Sequence, residues 1–198
     1  MANEQRLDLD AIVDLVPPQA RVLDLGCGDG SLLQRLVQEK QVEARGVEIS
    51  ESKVRAAIGH GVSVRHGNIE EGLADYLDEA FDYVILSQTL AYLNKPAPVV
   101  REMLRVGKHA IISFDNAGHW RARLRALRGE GMGFTLVSGE PRARAITLGQ
   151  FREFAASVNG RIEQSVLLAR KRCMCCSSSL CAWCAEAAVY MLTRATAS

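Results

Sequence analysis

The sequence has no apolar run long enough to cross a bilayer. Its longest uncharged stretch, residues 173–185, has 13 residues including three serines, against the roughly 20 mostly apolar residues that a spanning helix needs, so no membrane span is expected. It also has no excess of charge: 24 Lys and Arg stand against 23 Asp and Glu, a formal net charge of +1. Nothing therefore draws the chain as a whole to nucleic acid or to an anionic lipid surface. The first ten residues, MANEQRLDLD, carry acids where a secretory leader needs a basic end and an apolar run, which predicts a cytoplasmic protein. A disulfide framework is missing too. Five of the six cysteines crowd between 173 and 184 and the sixth, Cys27, stands apart in a glycine loop, whereas a stapled scaffold spreads its cysteines along the chain. Reduced thiols are expected.

What is present is a chain of 198 residues, 48% hydrophobic, enough for one substantial core. Val-, Ile- and Leu-rich runs alternate with helical patterns, the signature of a parallel sheet with crossover helices. Strands are predicted at 21–25, 44–49, 62–65, 81–87 and 110–114, with helices at 31–39, 51–59 and 97–106. Beyond Phe114 follow a basic helix at 119–128 and a helix near 148–158 with Thr147 as its N-cap. Two last strands, 162–168 and 187–193, are expected to pair antiparallel at one edge of the sheet. There is no internal repeat and no low-complexity linker. The expected architecture is one domain over 1–198, with a ligand-binding half at about 1–115 and a variable half at about 116–198.

The most informative segment is VLDLGCGDGSLL, residues 22–33. An apolar strand ends at Asp24, Gly26, Cys27, Gly28, Asp29 and Gly30, and a helix then begins. Alternate glycines let a ligand lie against bare main chain at a helix N-terminus, which implies a nucleotide-type ligand. Asp24 and Asp29 would repel phosphates, no lysine follows Gly30, and the third glycine of a dinucleotide fingerprint is Ser31 instead. An acidic glycine loop suits a phosphate-free cationic ligand. S-adenosylmethionine, with an ammonium and a sulfonium, is such a compound; the Gly26 carbonyl and a water held by Asp24 would take its ammonium.

Glu48 ends the second predicted strand 20 residues after Gly28, where a carboxylate can accept from both ribose hydroxyls; a solvated strand-end acid is the alternative. Ile49 follows it. Asn68 and Ile69, at the turn after the third strand, could meet an adenine edge and face, while Asn68 could equally cap a helix at 70–77. Ser87 and Gln88 lie at the carboxyl edge of the fourth strand, where open α/β sheets bind ligands.

These residues carry a resemblance. The chain resembles class I S-adenosylmethionine-dependent methyltransferases, and within them the methionine-biosynthesis protein MetW family. The shared segments are RVLDLGCGDGSLL (21–33), KQV (40–42), GVEI (46–49), EEGL (70–73), FDYVILSQTL (81–90), EMLRVGK (102–108) and GHWRAR (118–123). The resemblance implies a doubly wound, mostly parallel seven-stranded α/β sheet with an antiparallel edge strand. It also implies binding of S-adenosylmethionine or S-adenosylhomocysteine, and a role beside the homoserine O-acyltransferase of methionine biosynthesis. No G-x-S-x-G nucleophile elbow is present, so acyl transfer would belong to a partner. Methyl transfer to an unidentified small molecule or protein is the alternative.

No Asn/Asp-Pro-Pro-Tyr pattern follows the fourth strand, so nucleic-acid bases are not the expected acceptors. A methyl transferase needs mainly positioning, with a base if the acceptor is protonated. His119 is the candidate base, and a structural hydrogen bond or a stack beside Trp120 is the competing role. The arginines at 121, 123, 125 and 128 could dock an acidic partner or form a solvated face. For Cys173, Cys175, Cys176, Cys181 and Cys184 the spacing favours small apolar packing without a metal. A zinc site on Cys173, Cys176, Cys181 and Cys184, or a redox pair, stand as alternatives.

Overall fold

The computed structural model describes residues 6–128, 143–169, 172–174 and 183–195. After helix α1 (Leu7–Leu15) the chain alternates: β1 (Arg21–Leu25), α2 (Ser31–Lys40), β2 (Glu43–Glu48), α3 (Glu51–Gly59), β3 (Ser63–His66), β4 (Phe81–Ser87), α4 (Pro96–Val106) and β5 (Gly107–Asp115). Then come α5 (Trp120–Leu127), α6 (Leu148–Ser157), β6 (Gly160–Ala169), the three-residue β7 (Arg172–Met174) and β8 (Ala187–Arg194). The sheet order is β3-β2-β1-β4-β5-β8-β6-β7. Strands β1 to β5 pair in parallel, and β8 runs antiparallel to both β5 and β6. The two final strands do pair antiparallel, as the pattern predicts, but β8 lies between β5 and β6, and the very short β7 forms the outer edge.

Alternation along the strands divides the core between the two faces of the sheet. Leu23, Leu25, Val84, Leu86, Ile112 and Phe114 face one layer, where α4 and α6 contribute Val100, Met103 and Phe151. Val22, Ile85, Ile111 and Val189 face the other, against Ile12 and Val16 of the α1 side and Leu33 and Leu36 of α2. Thr147 caps α6 in a reciprocal box: its Oγ1 accepts from Gln150 N at 3.3 Å, while Gln150 Oε1 accepts from Thr147 N at 3.1 Å.

One predicted helix is replaced. Residues 70–77 do not continue as a helix; a single 3-10 turn spans Ile69–Glu71 and ends at Gly72, whose φ is 100°. The chain beyond is fixed from α4 instead: Arg105 Nη2 donates to the Leu73 carbonyl at 3.1 Å and Leu73 is buried.

The order of strands positions the site. After β1 the chain winds outward through β2 and β3, and β4 then returns to the opposite side of β1. The carboxyl ends of β1 and β4 thus diverge at a topological switch point, where open α/β sheets hold ligands.

Candidate functional site

A cavity of about 690 Å3 opens at this switch point. It is lined by the glycine loop after β1, by Glu48 and Ile49 at the end of β2, by Gly67 to Glu70 after β3, and by Ser87, Gln88 and Thr89 at the end of β4. Of the residues singled out in the sequence, Asp24, Gly26, Cys27, Gly28, Glu48, Ile49, Asn68, Ile69, Ser87 and Gln88 all line it. Gly30 does not. Its φ is 77°, and a Cβ there would lie 2.7 Å from Val62 Cγ2 and 2.9 Å from Ala57 Cβ, so this glycine lets the loop pack against α3.

Gly26 and Gly28 also have positive φ, 74° and 61°. A Cβ on Gly26 would collide with the Thr89 side chain at 2.8 Å, whereas one on Gly28 meets nothing within 4 Å. Gly28 therefore leaves bare main chain facing open space. Glu48 sets the loop: its Oε2 accepts from Gly28 N at 2.9 Å and its Oε1 from Ser50 N at 2.8 Å. A carboxylate has about four lone-pair positions, so both oxygens keep capacity for hydroxyl donors.

Asp24 is 2% exposed, and its Oδ1 has no hydrogen-bond partner among the described residues. Burial pushes its carboxyl up to about 7; Arg6 pulls it back in part, while Glu48 and Asp8 push it further up. A buried acceptor left unpaired is costly, and this one sits beside the loop at the cavity wall. Cys27, buried against Gly46, has its thiol pushed up to about 12 by burial and then by Asp24 and Glu48, so it packs as a small apolar group rather than a nucleophile.

Asn68 takes the capping role: its Oδ1 accepts from Glu70 N at 3.0 Å, and the residue still lines the cavity. Gln88, left-handed at φ 55°, donates its N–H to the Ser113 carbonyl at 3.1 Å. Ser87 is engaged in a network the sequence did not reveal. The Asp8 carboxylate of α1, 2% exposed, accepts from Ser113 Oγ at 2.6 Å, from Ser87 Oγ at 2.8 Å and from Arg6. Burial raises the Asp8 carboxyl, but hydrogen bonds from Arg6, Ser113 and Ser87 outweigh it, and the group lies below the ordinary carboxylate range. Helix α1 thereby ties the ends of β4 and β5 and brings Arg6 and Leu9 to the cavity.

His119 is elsewhere. It is 6% exposed, its ring is tilted 52° to that of Trp120 with centroids 5.8 Å apart, and it does not line the cavity. Among the described residues lining the cavity there is no histidine. The basic helix forms as α5, with Trp120, Leu124 and Leu127 exposed. Arg121 lies over the Trp120 ring at 5.2 Å and Arg123 over the Trp183 ring at 5.6 Å. Of the clustered cysteines, Cys175, Cys176 and Cys181 and the side chain of Cys173 lie outside the described residues; Cys184 is exposed. Among the described residues no group of three His, Cys, Asp or Glu side chains could hold a metal, and no described helix is long and apolar enough to cross a membrane.

Known structures share this architecture. An S-adenosylmethionine-dependent methyltransferase from Thermotoga maritima superposes with a TM-score of 0.72 at 20% identity, covering 95% of this chain and 87% of the other. The magnesium protoporphyrin IX methyltransferase of Synechocystis, solved with bound S-adenosylhomocysteine, gives 0.66 at 17% identity over 96% and 83%. The fold is that of the S-adenosylmethionine-dependent methyltransferases.

Within that class the sequence is more specific. The family model for methionine biosynthesis protein MetW matches residues 6–192, and the chain belongs to this family. A bifunctional methionine biosynthesis protein MetXA/MetW from Rhodopirellula baltica is 30% identical over 174 residues, 81% of this chain but 28% of the relative. A ubiquinone biosynthesis O-methyltransferase from Pseudomonas fluorescens is 33% identical over 93 residues, 44% of this chain and 40% of its own length. The chain thus spans well under half of these relatives.

Proposed function

We propose that the cavity binds S-adenosylmethionine or S-adenosylhomocysteine, and that the protein in this state supports a homoserine O-acyltransferase partner in methionine biosynthesis. The observation that carries the binding half is the buried Asp24 carboxylate, whose Oδ1 has no hydrogen-bond partner among the described residues, beside bare main chain. A cationic ammonium satisfies that acceptor; a phosphate meets Asp24, Asp29, Glu48 and Glu70 around the same cavity and is repelled. In this reading Asp24 orients the ammonium, directly or through water, the Glu48 lone pairs that the loop does not use accept from the ribose, and Asn68 and Ile69 border the adenine. The bound compound would supply a methyl carbon activated by its sulfonium. The chain's own part is to bind, orient and exclude water.

The supporting role rests on the relative in which a MetW segment is joined to MetXA in one polypeptide. Methyl transfer is the second reading, favoured by the likeness to the ubiquinone biosynthesis O-methyltransferase. The two separate in one assay. The purified protein is mixed with methyl-labelled S-adenosylmethionine and the homoserine O-acyltransferase of the same organism. Acyltransferase activation without label transfer supports the proposal, and label leaving the compound in the absence of the acyltransferase supports an enzyme. The contact surface we assign is α5, where Trp120, Leu124 and Leu127 are exposed among arginines, the residue types that anchor interfaces.

A further inference from the structure

We propose that residues 144–146 form a strap that transmits occupancy of the cavity to α5, so that the adenosyl ligand regulates the partner surface. The inference rests on the ligand and contact-surface readings above and deepens them by joining one site to the other. At the cavity wall the Glu70 carboxylate accepts from Asn94 Nδ2 at 3.0 Å and from Lys95 N at 2.6 Å, which ties the turn after β3 to the loop between β4 and α4. Arg144 holds that loop in turn: its N donates to the Ala91 carbonyl at 2.8 Å and its Nη2 to the Asn94 carbonyl at 2.8 Å. Two residues on, the Ile146 carbonyl accepts from Ala117 N at 2.9 Å, and Ile146 pairs with Asn116 in a parallel bridge just after β5.

Asn116 is the root of α5. Its Oδ1 accepts from Gly118 N at 2.9 Å and its carbonyl from His119 N at 3.1 Å, while the Gly118 carbonyl accepts from Arg123 Nε at 3.0 Å. Asn116 Nδ2 also donates to the Ala185 carbonyl at 2.9 Å, two residues beyond Trp183, the ring that Arg123 covers. None of the described side chains of α5 is buried, so the helix is not keyed into the core and its root sets where it points. Elements with few buried apolar contacts sit at the low-stability end of a structure, from which regulated parts are drawn.

The strap answers to both ends. Residues 143–145 are exposed and Ile146 is half-buried, so little apolar packing fixes the segment, and its hydrogen bonds run to the cavity rim and to the root of α5. Tyr92, Leu93 and Asn94 of the rim line the cavity, whereas Arg144 does not. A ligand that orders the rim fixes the carbonyls that Arg144 holds, and the ordering of Arg144 passes through Ile146 to Ala117 and α5. By linkage, a partner seated on α5 raises the ligand's affinity by the same factor as the ligand raises the partner's.

Hydrogen exchange of the full chain with and without saturating S-adenosylhomocysteine tests the strap, with the N–H groups of Arg144, Ala117 and Arg123 to Leu127 as reporters. In the wild type the ligand is expected to slow exchange in the glycine loop and, by roughly tenfold, at these reporters. Arg144→Met keeps an apolar stem and loses the donors to Asn94. It is expected to bind S-adenosylhomocysteine within about twofold of wild type by calorimetry, and to keep the protection of the glycine loop while losing most of that at Ala117 and α5. Arg144→Lys, which can still donate one bond, falls between. Protection confined to the cavity loops of the wild type overturns the strap, as does α5 protection that survives undiminished in Arg144→Met, or a loss of ligand affinity in that variant, which would make Arg144 part of the cavity itself. A wild type with no protection in the glycine loop overturns the ligand reading, and the strap with it.

Discussion

Replacing Asp24 with asparagine separates the burden this residue places on the fold from its service to the ligand. In an unfolded chain its carboxyl titrates near 3.8, and in the folded protein burial raises it to about 7. The folded state therefore holds a proton that the unfolded state has lost between these values, and stability falls as pH rises through that window. Above pH 7 the full difference, about three pH units at about 1.4 kcal/mol each, is a cost of about 4 kcal/mol. At pH 5 the cost is smaller by the two pH units between 5 and 7, that is by about 3 kcal/mol. Asp24→Asn does not titrate, and the penalty of its own buried amide cancels when the two pH values are compared. Denaturant unfolding of the ligand-free protein at pH 5 and pH 8 should thus show the variant gaining about 3 kcal/mol more, relative to wild type, at pH 8. The same substitution should abolish S-adenosylmethionine binding, while wild-type affinity rises with pH up to about 7 as the carboxylate forms. A stability gain that is the same at both pH values would refute the reasoning, because Asp24 would then be ionised in the folded state throughout.

Glu48→Gln should weaken S-adenosylmethionine binding by about 1.5 to 3 kcal/mol through loss of charge-assisted hydrogen bonds, measured by calorimetry; unchanged affinity would remove Glu48 from the site. Gly30→Val should lower the unfolding midpoint with or without ligand, since its φ of 77° and contacts of 2.7 and 2.9 Å leave no room for a Cβ. Asp82, hydrogen-bonded by Arg21 and Lys108, is held well below the ordinary carboxylate range, so its contribution is present above about pH 4 and is lost as pH falls below that. Wild type should lose stability more steeply than Asp82→Asn on acidification from pH 5 to 3 in thermal scans. Trp120→Ala combined with Leu127→Ser should weaken co-purification with the acyltransferase while leaving S-adenosylmethionine affinity unchanged; intact co-purification would exclude α5 as the contact.

Much of the frame is legible because it is locally encoded. β1, α3 and β4 fall at their predicted bounds, since each is an apolar or amphipathic run closed by Gly26, Gly59 or Ser87. The glycine loop and Glu48 are legible for the same reason: the spacing places Gly28 in the loop after β1 and Glu48 at the end of the adjacent parallel strand, and the structure closes that spacing with a 2.9 Å hydrogen bond. What escaped depends on tertiary partners. The run LDLDAIVDL has no motif that marks its role, and only Ser87 and Ser113, 79 and 105 residues away, make Asp8 a buried acceptor and α1 a wall of the cavity. Gly72 ends the turn at Glu71 where the sequence suggested a longer helix, because the following chain answers to Arg105 instead. His119 follows β5 closely in sequence, yet it is buried beside Trp120 and outside the cavity wall.

The central claim is that an acidic loop of bare main chain selects a cationic adenosyl compound over a phosphorylated one. Co-crystallisation with S-adenosylmethionine and NAD supplied together tests it most directly. The account predicts density for the adenosyl compound, its ammonium directed at Asp24 and its ribose at Glu48. A pyrophosphate lying across residues 26–30 would contradict it.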